Sequence, residues 1–245
     1  MEKRQKISEK VKIPELNDLA KAGVHLGHLA NKIHPKMKSY VYGVKNAVNV
    51  IDLEKTAEKL GVALEFIVQK MNEGATILFV GTKPSAKEII RRCAEQAKVA
   101  FVNERWLGGT LTNFSTVAKL IEKFNQLTKE KEQNEWKKYS KKEGLKREKE
   151  LKRLEFLVGG IRSLKKKPDI IYIVDIQKER TTVREAKRCK IPVVALTDTN
   201  TNPDLVDWPI PCNDDATKAI DLITGLVVES IRIGTNKSVS TEAIQ

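Results

Sequence analysis

The residues best suited to chemistry in this 245-residue chain are three histidines that lie within ten positions of one another. His25 and His28 are three residues apart, and neutral imidazole is a common metal ligand. A carboxylate such as Asp198 or Asp204 could complete a metal site with them. The alternative is a set of hydrogen-bonded polar residues at a domain edge. The sequence therefore leaves a metal site undecided, and it predicts no cofactor.

A second candidate is the segment 81–85, which reads Gly-Thr-Lys-Pro-Ser and follows a short apolar run. Backbone N–H groups at a helix start can bind one phosphate, and Lys83 could contact an RNA phosphate there. The plainer alternative is a strand-to-helix turn capped by Thr82. The chain contains no GxGxxG after a strand, no GxxxxGK[ST], no GxSxG and no kinase signature set. The sequence thus argues against a nucleotide-using enzyme.

Residues 19–51, here named the acid-free span, contain no carboxylate, although the chain as a whole is rich in glutamate. In residues 31–46 of this span, lysines lie on both sides of Tyr40 and Tyr42. Lysine neutralises phosphate and tyrosine can stack on an unpaired base. The alternative is a solvated loop with core tyrosines. We predict an RNA-facing surface that includes Lys32, Lys36, Lys38, Tyr40, Lys45 and Asn46.

A loop at residues 105–113 reads Arg-Trp-Leu-Gly-Gly-Thr-Leu-Thr-Asn. Its paired glycines allow unusual backbone angles or the close approach of another chain. Trp106 is suited equally to anchoring a neighbouring helix and to touching RNA. We predict RNA contacts here for Arg105, Trp106 and Asn113.

Two other segments are predicted to contact neighbouring proteins. Trp136 and Tyr139 are large aromatic residues in an otherwise polar stretch, which is unusual for full exposure to solvent. Residues 198–221 hold six aspartates and one lysine, so charge repulsion should keep them off RNA. We therefore assign Asp204 and Asp207 to a protein contact as well.

Lys and Arg outnumber Asp and Glu by 45 to 32, which gives a net charge of +13. Such a surplus favours a polyanionic partner, either nucleic acid or an anionic membrane surface. No apolar stretch of about 20 residues could span a bilayer, and the charged N-terminus lacks the apolar run of a secretory signal. The sequence therefore predicts nucleic acid, not membrane, and a cytoplasmic or organelle-encoded protein. Three widely spaced cysteines predict neither a disulfide framework nor a CxxC metal site.

Short apolar runs alternate with amphipathic helical patterns along the chain. This alternation predicts an α/β fold, an open doubly wound parallel sheet of the Rossmann or flavodoxin-like kind. The predicted strands are 76–80, 99–102, 170–174 and 193–196, with residues 40–50 also β-rich. The predicted helices are 15–22, 53–71, 82–97, 177–189 and 213–231.

Residues 112–167 interrupt this alternation with two helical patterns that share an apolar seam. Val117, Leu120, Phe124 and Leu127 keep a spacing of three and four, and Leu151, Leu154, Val158 and Ile161 repeat it. Residues 119–167 hold 17 Lys and Arg against 8 Glu. We predict an inserted α-helical coiled-coil hairpin with a basic surface. The remaining predicted parts are an α/β domain at 13–111 and 168–232, a disordered N-terminal lead at 1–12 and a disordered tail at 233–245.

Taken together, several stretches resemble the family of bacterial-type small-subunit ribosomal protein two. They are Ala-Gly-Val-His-Leu-Gly-His at 22–28, Pro-Lys-Met at 35–37, Ile-Asp-Leu-Glu-Lys-Thr at 51–56, Leu-Phe-Val-Gly-Thr-Lys at 78–83, the whole loop 105–113, Pro-Asp at 168–169, Asp-Thr-Asn at 198–200 and Asn-Asp-Asp-Ala at 213–216. They follow the family's order from about residue 15 to residue 232, and their combination is highly specific.

The resemblance implies an α/β domain with an inserted coiled-coil hairpin, placed between head and body of the small ribosomal subunit. It implies contacts with small-subunit ribosomal RNA and with other ribosomal proteins, including ribosomal protein one. The long hairpin points to the bacterial or organellar branch. The rival hypotheses are a Rossmann-like enzyme, which lacks its phosphate-loop glycines here, and a coiled-coil adaptor, which has no need of an acid-free span.

Overall fold

The computed structural model of the protein describes residues 11–242, apart from the side chains of residues 135, 137 and 237–242. Within this part the chain alternates between helices and strands. In chain order the elements are α1 (Leu16–Lys21), β1 (Leu26–Leu29), β2 (Val41–Lys45), β3 (Val48–Ile51), α2 (Leu53–Asn72), β4 (Ile77–Val80), α3 (Lys87–Ala97), β5 (Ala100–Val102), α4 (Phe114–Glu132), α5 (Lys141–Val158), β6 (Ile170–Ile173), α6 (Arg180–Cys189), β7 (Val193–Thr197), β8 (Trp208–Pro211) and α7 (Thr217–Glu242).

The central sheet is parallel, and its strand order is β5-β4-β6-β7-β8. Starting from β4, the chain adds β5 on one side and then β6, β7 and β8 on the other. This is the doubly wound order of flavodoxin-like folds. Ile77 of β4 lies beside Ile170 of β6, and Leu78 lies beside Ala100 of β5. The predicted α/β fold class is thereby confirmed.

Alternate side chains of the strands enter two cores, one on each face of the sheet. On one face Phe79 and Tyr172 pack with α2, α3 and α7, and the Tyr172 hydroxyl lies 3.0 Å from that of Thr224. On the other face Val80 and Ile171 pack with α6 and the base of the α4–α5 pair. Because both faces are covered, the strands read as continuous apolar runs, which is why they could be predicted.

Helices α4 and α5 form the predicted hairpin between β5 and β6, and their apolar seam is buried. On α4, Ile121 is buried where the sequence pattern pointed to half-buried Leu120. The seam is continuous with the core on its face of the sheet. Gly160 lies just beyond α5, where a Cβ would come within 2.3 Å of the Phe101 carbonyl oxygen. Glycine at this position therefore lets the hairpin base lie against β5.

A small antiparallel sheet of order β1-β3-β2 replaces the single β-rich segment predicted at 40–50. Asn46 and Ala47 connect β2 to β3 with positive φ angles of 51° and 61°, which suits a two-residue hairpin turn. Strand β8 was not predicted, because Pro209 and Pro211 weaken its β signal. Proline cannot donate to a ladder and is confined to sheet edges, and β8 is such an edge.

The helix ends differ from the predictions in one consistent way. Helices α3, α6 and α7 begin three to five residues later than their polar starting residues suggested, after an intervening turn. Helix α7 also continues through the tail predicted from residue 233, because Ile233 packs against the core and Gly234 is buried between α7 and α2.

Residues 1–10 and 243–245 lie outside the described residues, and Val11 is buried. In the described part no helix combines the length and apolar character that a bilayer crossing requires.

Candidate nucleic-acid interface

The structure places most predicted residues of the acid-free span on its surface. Lys32 ends a short 3-10 turn, Lys38 lies in a second one, Lys45 is the last residue of β2, and Asn46 follows it in the β2–β3 turn; all four are exposed. The Ala30 N–H donates to the Ala47 carbonyl at 2.9 Å, which holds the turn of Lys32 beside the β2–β3 turn. Lys32, Lys38 and Lys45 are thus exposed, and each lies in a segment with regular backbone structure.

Two members of the predicted surface differ from the rest. Lys36 forms an ion pair with Asp204, so part of its charge is already neutralised. Tyr40 is half-buried, whereas Tyr42 is 83% exposed. A base could therefore stack more readily on Tyr42 than on Tyr40. Tyr40 ends the second 3-10 turn and Tyr42 lies on β2, a difference in local structure that the sequence pattern did not reveal.

The loop 105–113 is held by a residue that sequence reasoning missed. The Glu185 carboxylate, on α6, accepts hydrogen bonds from the Trp106 indole at 3.1 Å and from the backbone of Gly109 at 2.8 Å. It also accepts from the backbone N–H groups of Leu111 and Thr112. Trp106 is therefore an anchor of the hairpin base, and its predicted contact with RNA stays a prediction. The neighbouring residues Arg105 and Asn113 are exposed.

The charge of Glu185 is stabilised by these donors. Burial alone would raise the pKa of Glu185, but the hydrogen bonds from Gly109, Trp106, Leu111 and Thr112 hold it below its usual value. A single carboxylate thus satisfies several N–H groups of a loop that contains two glycines. No sequence signal could have identified it, because its partners lie 73 to 79 residues away.

Lys83 lies in an ion-pair cluster at the carboxyl edge of the sheet. Its Nζ is 2.6 Å from carboxylate oxygens of both Asp214 and Asp215 and 3.3 Å from Asp175. Thr82 donates through its backbone and hydroxyl to Glu179, which is buried. The connections that follow β4 and β6 lead to helices on opposite faces of the sheet, and this is the position where doubly wound folds bind nucleotides. In this protein the position is filled by side chains.

The cluster has more carboxylates than cations, and the pKa values of Lys83 and Asp214 are both raised. Burial alone would lower the pKa of Lys83, but hydrogen bonds to Asp214 and Asp215 hold it above its usual value. Burial raises the pKa of Asp214 to about 7, and the nearby charges of Asp175 and Asp198 add to this effect. The surplus negative charge would repel a phosphate. The RNA contact predicted for Lys83 stays a prediction that this geometry disfavours.

His28 lies at the rim of the same cluster. Its Nδ1 is 3.2 Å from Asp198 and its Nε2 is 3.5 Å from Asp215. The side-chain hydrogen bond with Asp198 raises the pKa of His28 against the opposing effect of burial. The three ligand atoms lie within 4.8 Å of one another, so they could hold a divalent cation. The group includes neither His25 nor Asp204, the other residues considered from the sequence.

The predicted protein-binding residues make contacts within the chain. At the hairpin tip, the Trp136 indole N–H lies 3.4 Å from Glu130, and the Arg147 guanidinium stacks 4.0 Å from the centre of the Tyr139 ring. These contacts explain why aromatic residues occur in a polar stretch. In the aspartate-rich segment 198–221, here named the acidic loop, Asp207 accepts a hydrogen bond from the Val193 N–H at 2.9 Å. A protein contact at these positions stays a prediction.

Comparison with known proteins gives two matches that agree with each other. A family model described as Ribosomal protein S2 matches residues 19–234. A relative from Coprothermobacter proteolyticus, named Small ribosomal subunit protein uS2, is 45% identical over 233 residues. That alignment covers 94% of this chain and 87% of the relative. Both matches include the two sheets and the hairpin.

Proposed function

This chain belongs to the ribosomal protein S2 family, and we propose that it binds ribosomal RNA through the acid-free span. Within the family's role it is a structural constituent of the small ribosomal subunit that acts in translation, and it is not an enzyme. Its partners are accordingly ribosomal RNA and other ribosomal proteins. The proposal concerns which surface meets the RNA.

The observation that carries the proposal is a set of exposed lysines without counter-charges. Among the described residues, Lys32, Lys38 and Lys45 form no ion pair, and no carboxylate is present in their own segment. An exposed lysine cluster on a protein surface is usually mixed with acids, which reduce its attraction for polyanions. Here the phosphate backbone would meet three lysines without counter-charges, in the same segment as Lys36, which is paired with Asp204, and Tyr42 would be available for stacking on a base.

A triple variant, Lys32→Gln with Lys38→Gln and Lys45→Gln, tests this surface. We expect weaker binding to naked small-subunit ribosomal RNA, measured over a series of salt concentrations. Each phosphate that the variant no longer neutralises should make the salt dependence shallower by up to about one unit. Stability should stay within about 0.5 kcal/mol of the wild type, because the three side chains are exposed.

A matched control removes three exposed or half-exposed lysines elsewhere, Lys59, Lys98 and Lys218. If both triple variants lose the same affinity, only net charge matters and the acid-free span is a solvated loop. Co-sedimentation of the full chain in a sucrose gradient tests the wider assignment. A chain that stays in the soluble fractions, away from small subunits, would contradict it.

Protein contacts are proposed at two other places on the molecule. The hairpin tip offers the half-buried rings of Trp136 and Tyr139, and the acidic loop offers Asp204 and Asp207. We propose the large RNA-binding ribosomal protein one as the neighbour that contacts this acidic surface, because the aspartates would repel RNA itself. We place the chain on a cytoplasmic ribosome of a bacterium or on that of an organelle, since the long hairpin is the feature of that branch.

A further inference from the structure

Helix α6 presents only positive charge to solvent. The two carboxylates of this segment, Glu179 and Glu185, are 4% and 8% exposed and accept hydrogen bonds inside the protein. The exposed residues of the helix are Arg180, Thr181, Arg184, Lys187 and Arg188. A solvated helix normally mixes both signs on its outer face. In this helix the acidic side chains are buried and the basic side chains are exposed.

Three of these cations form what we name the arginine ladder, Arg180, Arg184 and Arg188. They are spaced four residues apart, so their guanidinium groups emerge from one side of the helix about 6 Å apart along its axis. Within the described residues none of the three forms an ion pair. By contrast, the arginines of α3 are paired, Arg91 with Glu95 and Arg92 with Asp221.

Helix stability does not account for the ladder. Cations are favourable near the carboxyl end of a helix, where Arg188 lies, and unfavourable near its start. Arg180 is the first residue of α6, the first turn contains no acid, and the carboxylate of the N-cap residue Glu179 is engaged by Thr82. Like charges four residues apart also repel each other. The arrangement therefore weakens the isolated helix slightly, which points to a role outside the protein.

The chemistry of the surface favours phosphate over a protein partner. Among the described residues, no large exposed apolar side chain lies between residues 176 and 192. Exposed Leu205 lines a surface pocket with Lys187, and none of the three ladder arginines lines that pocket. Protein interfaces are built around buried apolar and aromatic groups, whereas phosphate contacts need only donors and positive charge. The guanidinium fork also matches two phosphate oxygens at once. We propose that the arginine ladder binds the phosphate backbone of RNA.

The helix that carries the ladder also holds a loop predicted to meet RNA. Glu185, next to Arg184 in sequence, holds the loop that carries exposed Arg105 and Asn113. We therefore expect cations of α6 and of this loop to contact the same RNA. This inference rests on the proposed function, and it adds a second contact surface that is far in sequence from the acid-free span.

The test compares two variants of the full chain with the same change in charge and composition. The ladder variant is Arg180→Gln with Arg184→Gln and Arg188→Gln. The control, Arg91→Gln with Arg92→Gln and Arg232→Gln, lies on α3 and α7, which cover the opposite face of the sheet. Binding to naked small-subunit ribosomal RNA is measured over a salt series, together with melting temperature and co-sedimentation with small subunits.

We expect the ladder variant to bind RNA about tenfold or more weakly at about 0.15 M salt, with a salt slope shallower by about 0.7 to 0.9 for each phosphate that it no longer neutralises. The control should bind RNA almost as the wild type does. The ladder variant should melt as the wild type does, whereas the control, which breaks the surface ion pairs of Arg91 and Arg92, should melt at most about 2–4 °C lower. An Arg→Lys version of the ladder should keep most of the slope but bind less tightly, since it lacks the guanidinium fork.

Two results would overturn the inference. One is an equal loss of RNA affinity in the ladder and control variants, which would reduce the effect to net charge. The other is a ladder variant with intact RNA binding but poor incorporation into subunits, which would make the partner a protein. Failure of the wild type itself to co-sediment with small subunits would instead refute the proposed function.

Discussion

At the scale of single residues, Glu185 decides the geometry of the hairpin base. Replacing it by glutamine keeps its size but turns an amide N–H₂ toward N–H groups that need acceptors. A hydrogen bond to a charged group contributes about 1.5–3 kcal/mol to stability. A buried donor that is left without an acceptor lowers stability by a similar amount. We expect Glu185→Gln to lower the free energy of unfolding by about 2 kcal/mol at pH 7, measured by urea denaturation.

The same variant should reveal the titration of this carboxyl group. Because the folded protein holds the pKa of Glu185 below its unfolded value, its contribution is complete above about pH 4.5 and is lost as pH falls through the folded pKa. The stability difference between wild type and variant should therefore shrink below about pH 4.5. Glu122→Gln, at an exposed position of α4, is the matched control and should change stability little. A difference that stays constant with pH would argue against the charged network.

At the scale of elements, the hairpin has two parts with different roles. Its base shares the core of the sheet, while its tip is closed by contacts among its own side chains. Replacing residues 128–147 by a short Gly-rich linker should leave the melting temperature almost unchanged, because Leu127 and Leu151 still close the seam. Replacing residues 116–160 should instead lower it markedly, since Val117 and Val158 leave the core. Equal melting temperatures for the two deletions would mean that the hairpin folds as an independent unit.

Elements with a local signal could be predicted from the sequence, and those fixed by distant contacts could not. The runs at 76–80 and 170–174 are apolar because both faces of the sheet are covered, so their identity as strands was visible. The ion pair of Lys83 with Asp214 joins residues 131 positions apart, and no residue pattern in the segment 81–85 indicates it. The acid-free span was found because a missing residue type is itself a sequence pattern. The arginine ladder was not, because Glu179 and Glu185 hide its uniform charge until their burial is known.

At the scale of the whole molecule, the larger core depends on its last helix. Helix α7 packs on both α2 and α3 and supplies the buried residues Ile220, Ile223 and Val227 to that core. A fragment of residues 1–212 should therefore lack a cooperative thermal transition and expose apolar surface to a dye such as ANS. A fragment of residues 1–236, which keeps the packed part of α7, should unfold cooperatively. A cooperative transition in the shorter fragment would show that the core folds without α7.

The position of the hairpin between β5 and β6 also affects how the protein folds during its synthesis. Strand β4 is made long before β6, its partner on the inner side, because Ile77 pairs with Ile170. At the usual synthesis rate of about 5–20 residues per second, this edge stays unpaired for about 5–20 s. An apolar strand with a free edge is a template for aggregation. We therefore expect the nascent chain to aggregate more readily when chaperones are depleted, until β6 has been made and the central sheet can close.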